Sequence, residues 1–555
     1  MEESGTYKSA PKKGTWGFTM KRFIGVILKS VLIVLCFMAY LIIVPIFLLL
    51  MTPLYLYRLL VKLAQKLLKP EWTGMVSPRD ALVGLDNTAT QCECMITVLL
   101  TMKGDPDMKK VLEVFQNEVI NGKNSKGELC YQKLQNYYDT WLGFTFWKKE
   151  ENFQLENHVR ELDPSEYDFL KNNNKSEDGV AVKEDQLMKI LGARSTKCFP
   201  PGVSPWEALI IRNYKKASPQ LHHDFKANVP ISSVEKLGEK DCEFALVLRI
   251  HHAIGDGYSI MKLIMSNLCM GALDRVPKAP VRRLSPLTVL LNYIAIVFLT
   301  PYYHFLQFFL DIDKTMWHLP SNKLEKQWQF AMTERLSFAA IKEISKQQGV
   351  CMTATLVAGL AGGIHNFLKE KGMEKKNKKI MRALSPMPWK DHPLETLVNH
   401  WTVGIFDIPA HEPCPRKRLS IANESASRLK RSPIMVTNFM TVPVLLSAPK
   451  FLTDIWGSNW MTTMILSNFP GPDFASNAFY DSHYIDDVIS WVPHMRGSAG
   501  MGAMFQSYNG GVRVTLSVDK AIIRDQAEVV ELSNHISQEF LRLRSLQPNG
   551  AETNV

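Results

Sequence analysis

The 555-residue chain contains no G-x-S-x-G elbow, no P-loop and no EF-hand loop, so the marks of a serine hydrolase, a nucleotide cradle and a calcium loop are all missing. Gly500-x-Gly502 lacks the third glycine of a dinucleotide loop. His222-His223-Asp224 has no HExxH setting and reads as surface loop. Nine cysteines are scattered from Cys36 to Cys414 without metal-type spacing, and Cys92 and Cys94 form neither a zinc knuckle nor a CxxC pair. Such a set suits reduced thiols in a domain facing the cytosol. No metal is implied. Charge is also scarce, at 21% of residues, and none of it falls between Ser30 and Tyr57. As a helix that run measures about 42 Å, more than the ~30 Å bilayer core. It is too long for a cleaved signal peptide. Pro45 and Pro53 are expected to divide it into a span plus an interfacial stretch, or to fold it into a re-entrant hairpin. Basic residues flank both ends, Lys21, Arg22 and Lys29 before it and Arg58, Lys62 and Lys66 after, so the positive-inside rule gives no orientation.

What is present is apolar residues, 46% of the chain, and a formal net charge of +11. That length and composition suit two lobes plus an appendage. The basic excess near the N-terminal run points to a phospholipid surface, and nothing resembles a nucleic-acid motif. Val111, Leu112, Phe115 and Val119 lie at helical spacing, as do Leu356, Leu360, Ile364 and Phe367, and again Val529, Leu532, Ile536 and Phe540. Phe244, Leu246, Leu248 and Ile250 alternate with Ala245, Val247 and Arg249, as in a strand with one face buried more deeply. Val512, Val514, Leu516 and Val518 alternate likewise. Leu284–Leu310 has no acid, Lys or Arg but contains Pro286 and Pro301, and reads either as a membrane-dipping insertion or as an interdomain connection. The resulting divisions are a membrane anchor (1–70), a first α/β lobe (71–275), a hydrophobic connector (276–330) and a second α/β lobe (331–548).

The segment 243–264 carries the chemistry. An apolar strand delivers His251 and His252, then a turn with Asp256 and Gly257 opens a helix with Ile260, Leu263, Ile264 and Leu268. Neighbouring side chains on a strand point to opposite faces, so one histidine braces the interior and the other faces a cleft. Asp256 can pair with a basic group and lock the turn, and Gly257 allows a tight backbone there. A histidine held in this way can remove a proton from a hydroxyl.

HHAIGDG, residues 251–257, resembles the HHxxxDG signature of coenzyme A-dependent acyltransferases of the chloramphenicol acetyltransferase and condensation-domain type. The surroundings resemble the wax ester synthase/diacylglycerol acyltransferase family. The quoted likenesses are Ser77, Pro78 and Asp80 (SPxD), Phe153–Val159, Pro205-Trp206-Glu207, Arg382–Pro386 with Asn399, SNFPGP (467–472), and SYNG (507–510) followed by Asp519 and Asp525. They run in order over roughly residues 72 to 545. Thr353-Ala354 departs from the family's Asn-Asp pair, and His400 after Asn399 is unusual.

The resemblance implies an α/β two-lobed fold with a channel between the lobes. It implies an O-acyltransferase that carries a fatty acyl group from acyl-CoA, a co-substrate and not a cofactor, to a lipid alcohol without an acyl-enzyme. His252 is then the general base, with His251, Asp256 and Gly257 completing the motif. Ser467 and Asn468 are candidate oxyanion donors, since SNFPGP follows the apolar stretch Met461–Leu466 and its Pro-Gly-Pro fixes a loop, and Asn399 is a further channel candidate. Acceptors are a fatty alcohol or diacylglycerol, with a sterol-like alcohol, or a non-catalytic lipid-binding protein on the same fold, as alternatives. The expected location is the endoplasmic reticulum membrane, or else the plasma membrane, with cytosol-facing lobes.

Overall fold

The computed structural model of the chain describes residues 15–548 apart from 85, 125, 172–174, 177–178, 218–242, 269–284, 394–395 and 475–482. His222, His223 and Asp224 lie outside the described residues. The uncharged run folds as one helix, α1 (Thr15–Leu68), with both prolines inside it. The expected break is therefore not found. Each proline removes one donor from the helical ladder, and beside Pro53 the Thr52 hydroxyl donates back to Leu48 O at 2.7 Å, so the helix runs on through both. Over residues 24–50 no side chain is buried, and the half-covered ones (Leu32, Ile33, Cys36, Phe37, Tyr40, Val44 and Phe47) share a stripe. That stripe meets a second apolar helix, α2 (Pro286–Phe305), where Phe37 and Phe298 pack with centroids 4.5 Å apart and Tyr40 hydrogen-bonds His304. Pro301 sits inside α2 without ending it. The second apolar run is thus a helix packed on α1. Both are long and apolar enough to cross a membrane.

The lobes are built on two sheets, whose strands in chain order are β1 (Met95–Lys103), β2 (Val159–Glu161), β3 (Trp206–Ile211), β4 (Glu243–His251), β5 (Trp328–Met332), β6 (Met381–Pro388), β7 (Trp401–Ile408), β8 (Met464–Pro470), β9 (Ile485–Trp491), β10 (Met501–Tyr508) and β11 (Gly511–Asp519). The first sheet has the order β9-β1-β4-β3-β2, and the second β5-β11-β10-β8-β6-β7. β9 comes from the later half of the chain yet pairs antiparallel with β1, so the first sheet closes only with a strand from the span 331–548. β4 is buried on both faces, more evenly than the expected strand with one face buried more deeply. Phe244, Leu246 and Leu248 enter one cluster with Val98 and Ile260. Ala245 and Val247 enter another with Leu187, Leu191 and Trp491. A sheet covered on both sides needs apolar residues at every position, which is why the alternation reads weakly.

In the second lobe, α3 (Met352–Glu370) buries Leu356, Leu360, Ile364 and Phe367. The apolar helices α4 (Ile434–Leu445) and α5 (Lys450–Trp456) follow, and α6 (Gln526–Arg544) buries Val529, Leu532, Ile536 and Phe540. α3 and α6 approach closely because glycines 359, 362 and 363 face Phe540, Glu539 and Ile536.

Candidate active site

β4 ends at His251, and the two histidine rings leave it in opposite directions. His251 is fully buried. Its Nε2 lies 3.0 Å from both oxygens of Asp86, and its Nδ1 accepts Ala253 N–H at 3.2 Å. That pattern gives one tautomer, Nε2–H donor and Nδ1 acceptor. Tyr138 OH and Glu93 N–H also donate to Asp86, at 3.0 and 2.8 Å. Burial opposes ionisation of Asp86, but His251 and these donors outweigh it and hold the carboxyl below its usual range. His251 thereby pins the backbone that carries the next residue.

His252 borders the cavity between the lobes. Its N–H donates to Cys94 O at 2.8 Å, and its carbonyl accepts from Asn399 Nδ2 at 2.8 Å. Nδ1 is buried and has no hydrogen-bond partner among the described residues, which leaves Nε2 as the nitrogen that can meet a substrate. Burial pushes the imidazole pKa below its ordinary value, while Asp256 and the residue's own carbonyl oppose that shift without cancelling it. The ring is neutral at neutral pH and has a free lone pair. That is the state a base needs.

Asp256 caps the helix Gly257–Lys262 by accepting Ser259 N–H at 2.9 Å. It also accepts His400 N–H at 2.8 Å, and His392 Nε2 lies 3.1 and 3.0 Å from its two oxygens. The basic partner expected from sequence is therefore His392, supplied by the second lobe. Burial would raise the Asp256 pKa, but His392 and the two backbone donors hold it below the usual carboxylate range. Gly257 differs from expectation: it has no positive φ, and an added Cβ would meet nothing within 4 Å. It borders the cavity, so the missing side chain leaves space there instead of permitting a tight turn.

The cavity encloses about 980 Å³, partly open to solvent, between the two sheets. Ile96 and Val98 of β1, Leu384 and Pro386 of β6, Trp401 and Val403 of β7, Ile465 of β8 and Trp491 of β9 give it an apolar wall. Polar groups are few: His252, Asp256, Tyr258, Ser490, and Ser467 with Asn468 from β8. Ser467 to Pro470 belong to that strand and pair in register with Met504 to Ser507 of β10, and the chain leaves the strand at Gly471 and Pro472. Asn399 does not line the cavity. Its amide spans Asp80 Oδ1 (2.9 Å) and the His252 carbonyl, and its oxygen accepts Trp401 Nε1 at 3.0 Å, so it fixes the motif backbone from behind. Asp80 in turn pairs with Lys133 at 2.9 Å. Asp86, Tyr138 and His392 had no spacing signal in the sequence. Only folding brings them to the motif.

Residues 398–543 match the model of the WS/DGAT C-terminal domain. Among solved structures, the wax ester synthase/diacylglycerol acyltransferase from Marinobacter aquaeolei VT8 aligns at TM-score 0.52 and 15% identity, over 84% of this chain and 99% of that one. Trichothecene 15-O-acetyltransferase from Fusarium sporotrichioides aligns at 0.51 and 9% identity, over 85% and 95%. The first condensation domain of the calcium-dependent antibiotic synthetase aligns at 0.50 and 11% identity, over 86% and 97%. No curated protein sequence matches the chain. Two α/β lobes facing each other across a cavity, with the histidine turn at its edge, define a condensation-domain-like fold. Within that class, residues 398–543 match the WS/DGAT C-terminal domain, and the fold of the whole chain is similar to that of a wax ester synthase/diacylglycerol acyltransferase.

Proposed function

We propose that the protein is an acyl-CoA-dependent O-acyltransferase that moves a long-chain fatty acyl group onto a lipid alcohol, either a fatty alcohol or diacylglycerol. The observation that carries this reading is His252, a neutral imidazole bordering an apolar cavity lined by both lobes. His252 Nε2 takes the hydroxyl proton as the alcohol oxygen attacks the thioester carbonyl. Collapse of the tetrahedral adduct then breaks the C–S bond, and the imidazolium returns the proton to the departing sulfur. Ser467 or Asn468, which reach the same cavity, are the donors assigned to the oxyanion. His251, Asp256 and Asn399 hold the backbone that aims His252. The apolar wall suits an acyl chain and limits water at the thioester.

The Thr353-Ala354 departure favoured a non-catalytic lipid-binding protein. Ala354 is buried in the second-lobe core, and neither residue borders the cavity, so that departure leaves the site untouched. The test is an acyl-CoA assay on membranes containing the protein, offering fatty alcohol and diacylglycerol together, with a sterol in parallel. Transfer to at least one of them is expected. No transfer to any lipid alcohol would hand the site to the lipid-binding reading.

A further inference from the structure

From Met51 onward, α1 lies against the lobes. Met51, Val61 and Gln65 are buried, Arg58 donates to Val76 O at 3.2 Å, and Tyr55 OH donates to Val444 O at 3.1 Å. The opposite face of this stretch carries Leu56, Leu59, Leu63 and Leu67, all exposed, with Lys62 and Lys66 among them. Alongside, α5 shows Phe451 and Ile455 at 63% and 71% exposure, and α4 shows Met440 at 65%. Arg58, Leu446, Lys450 and Thr453 line one small crevice, which puts α1, α4 and α5 on the same side of the molecule. Exposed large apolar side chains gathered on one side of the molecule, with lysines between them, mark a contact surface.

We propose that this face is a second membrane contact, separate from the spans: the catalytic lobes rest on the headgroup–acyl boundary of a phospholipid bilayer. The leucine stripe, Phe451 and Ile455 enter the boundary, and Lys62 and Lys66 meet anionic headgroups. Two observations select a bilayer as the occupant. The stripe continues the same helix that forms the uncharged span, and α4 is joined to the α2 segment by Thr437–Thr300 (2.9 Å) and Asn438–Gln307 (3.1 Å). α4 also packs on β7, where Thr402 Oγ1 donates to Met435 O and Asn438 Nδ2, shared with Gln307, donates to Val403 O. Trp401 and Val403 of that strand line the cavity. Docking therefore holds the cavity about one helix diameter, ~10 Å, from lipid, so an acceptor alcohol can pass to it sideways from the bilayer.

The acceptor part rests on the acyltransfer reading, and the contact itself does not. The full-length protein is reconstituted in phosphatidylcholine/phosphatidylserine nanodiscs with a photoactivatable phospholipid, and cross-linked peptides are mapped. Lipid adducts on 56–67 and 440–455, as well as on 24–50 and 286–310, are the expected result. Adducts confined to the spans overturn the contact, and cross-links between two copies through this face overturn it in favour of a dimer interface. In the activity arm, Phe451→Asp/Ile455→Asp is expected to raise KM for a bilayer-borne long-chain alcohol about tenfold while kcat for a short soluble alcohol is unchanged. An unchanged KM overturns sideways delivery. If the wild type acylates no alcohol, the function reading fails, and the adduct map still decides the contact.

Discussion

His252 and the three residues that restrain it, His251, Asp256 and Asn399, divide the labour between reacting and aiming. His252→Ala is expected to lower turnover by about 10²–10⁴-fold with the melting temperature nearly unchanged, because the ring borders a cavity and anchors nothing. Wild-type turnover per folded molecule in that variant would refute the base assignment. Its lowered pKa sets the sign of the pH dependence. The ring stays neutral below the ordinary histidine value, so the acid limb of kcat/KM falls below about pH 6.5. A limb at or above that value would count against it.

Asp86 and Asp256 contribute in a different window. Both are held below the usual carboxylate range, so their stabilisation is present above about pH 4 and is lost as pH falls through their folded values. His392→Leu removes a hydrogen-bond partner of the buried Asp256 carboxylate and is expected to cost about 1–3 kcal/mol, with activity falling in parallel. Urea unfolding at pH 7 checks this. His392→Leu unfolding like wild type would show that the two backbone donors suffice.

Among the elements, the α3–α6 pair has no room for added bulk where its glycines meet. A Cβ at Gly363 would come within 2.3 Å of the Ile536 side chain and 2.6 Å of its Cα, and backbone cannot yield as a flexible side-chain tip can. Gly363→Ala is therefore expected to destabilise the second lobe by about 1–3 kcal/mol. At Gly257, where an added Cβ meets open space, Ala is expected to leave stability unchanged and to alter only substrate kinetics. Thermal unfolding of the two variants side by side distinguishes a packing glycine from a cavity glycine. The helical stripes on α3 and α6 were legible in the sequence because burial on one face imposes a 3.6-residue period. Their separation was not, since it depends on which small residues meet across the pair.

At the scale of the whole molecule, two apolar helices of spanning length join a pair of lobes whose interfaces run across the sequence. A bulky charged thioester is available in the cytosol, so the lobes are expected on that side. A glycosylation acceptor inserted near residue 180 should stay unmodified in cells, and glycan addition there would put the lobe in the lumen. Removing residues 1–50 is expected to leave the protein resistant to alkaline extraction, since α2 has the length and apolarity of a span by itself. Release into the supernatant would show that α2 only lies along the lobes.

The sequence by itself determined the uncharged run, the β4 strand with its paired histidines, the helix that follows them and the amphipathic helices of the second lobe. Each is written in near neighbours, through a run of apolarity, a period or a short motif. Tertiary structure decided what the motif touches. Asp86 lies 165 positions from His251, and His392 lies 136 from Asp256. Asn399 left its expected place in the channel for the carbonyl of His252, and β9 crossed from the second half of the chain into the first sheet. Such contacts follow from sheet register and lobe docking, which sum many weak burial energies over distant residues. No local pattern records that sum.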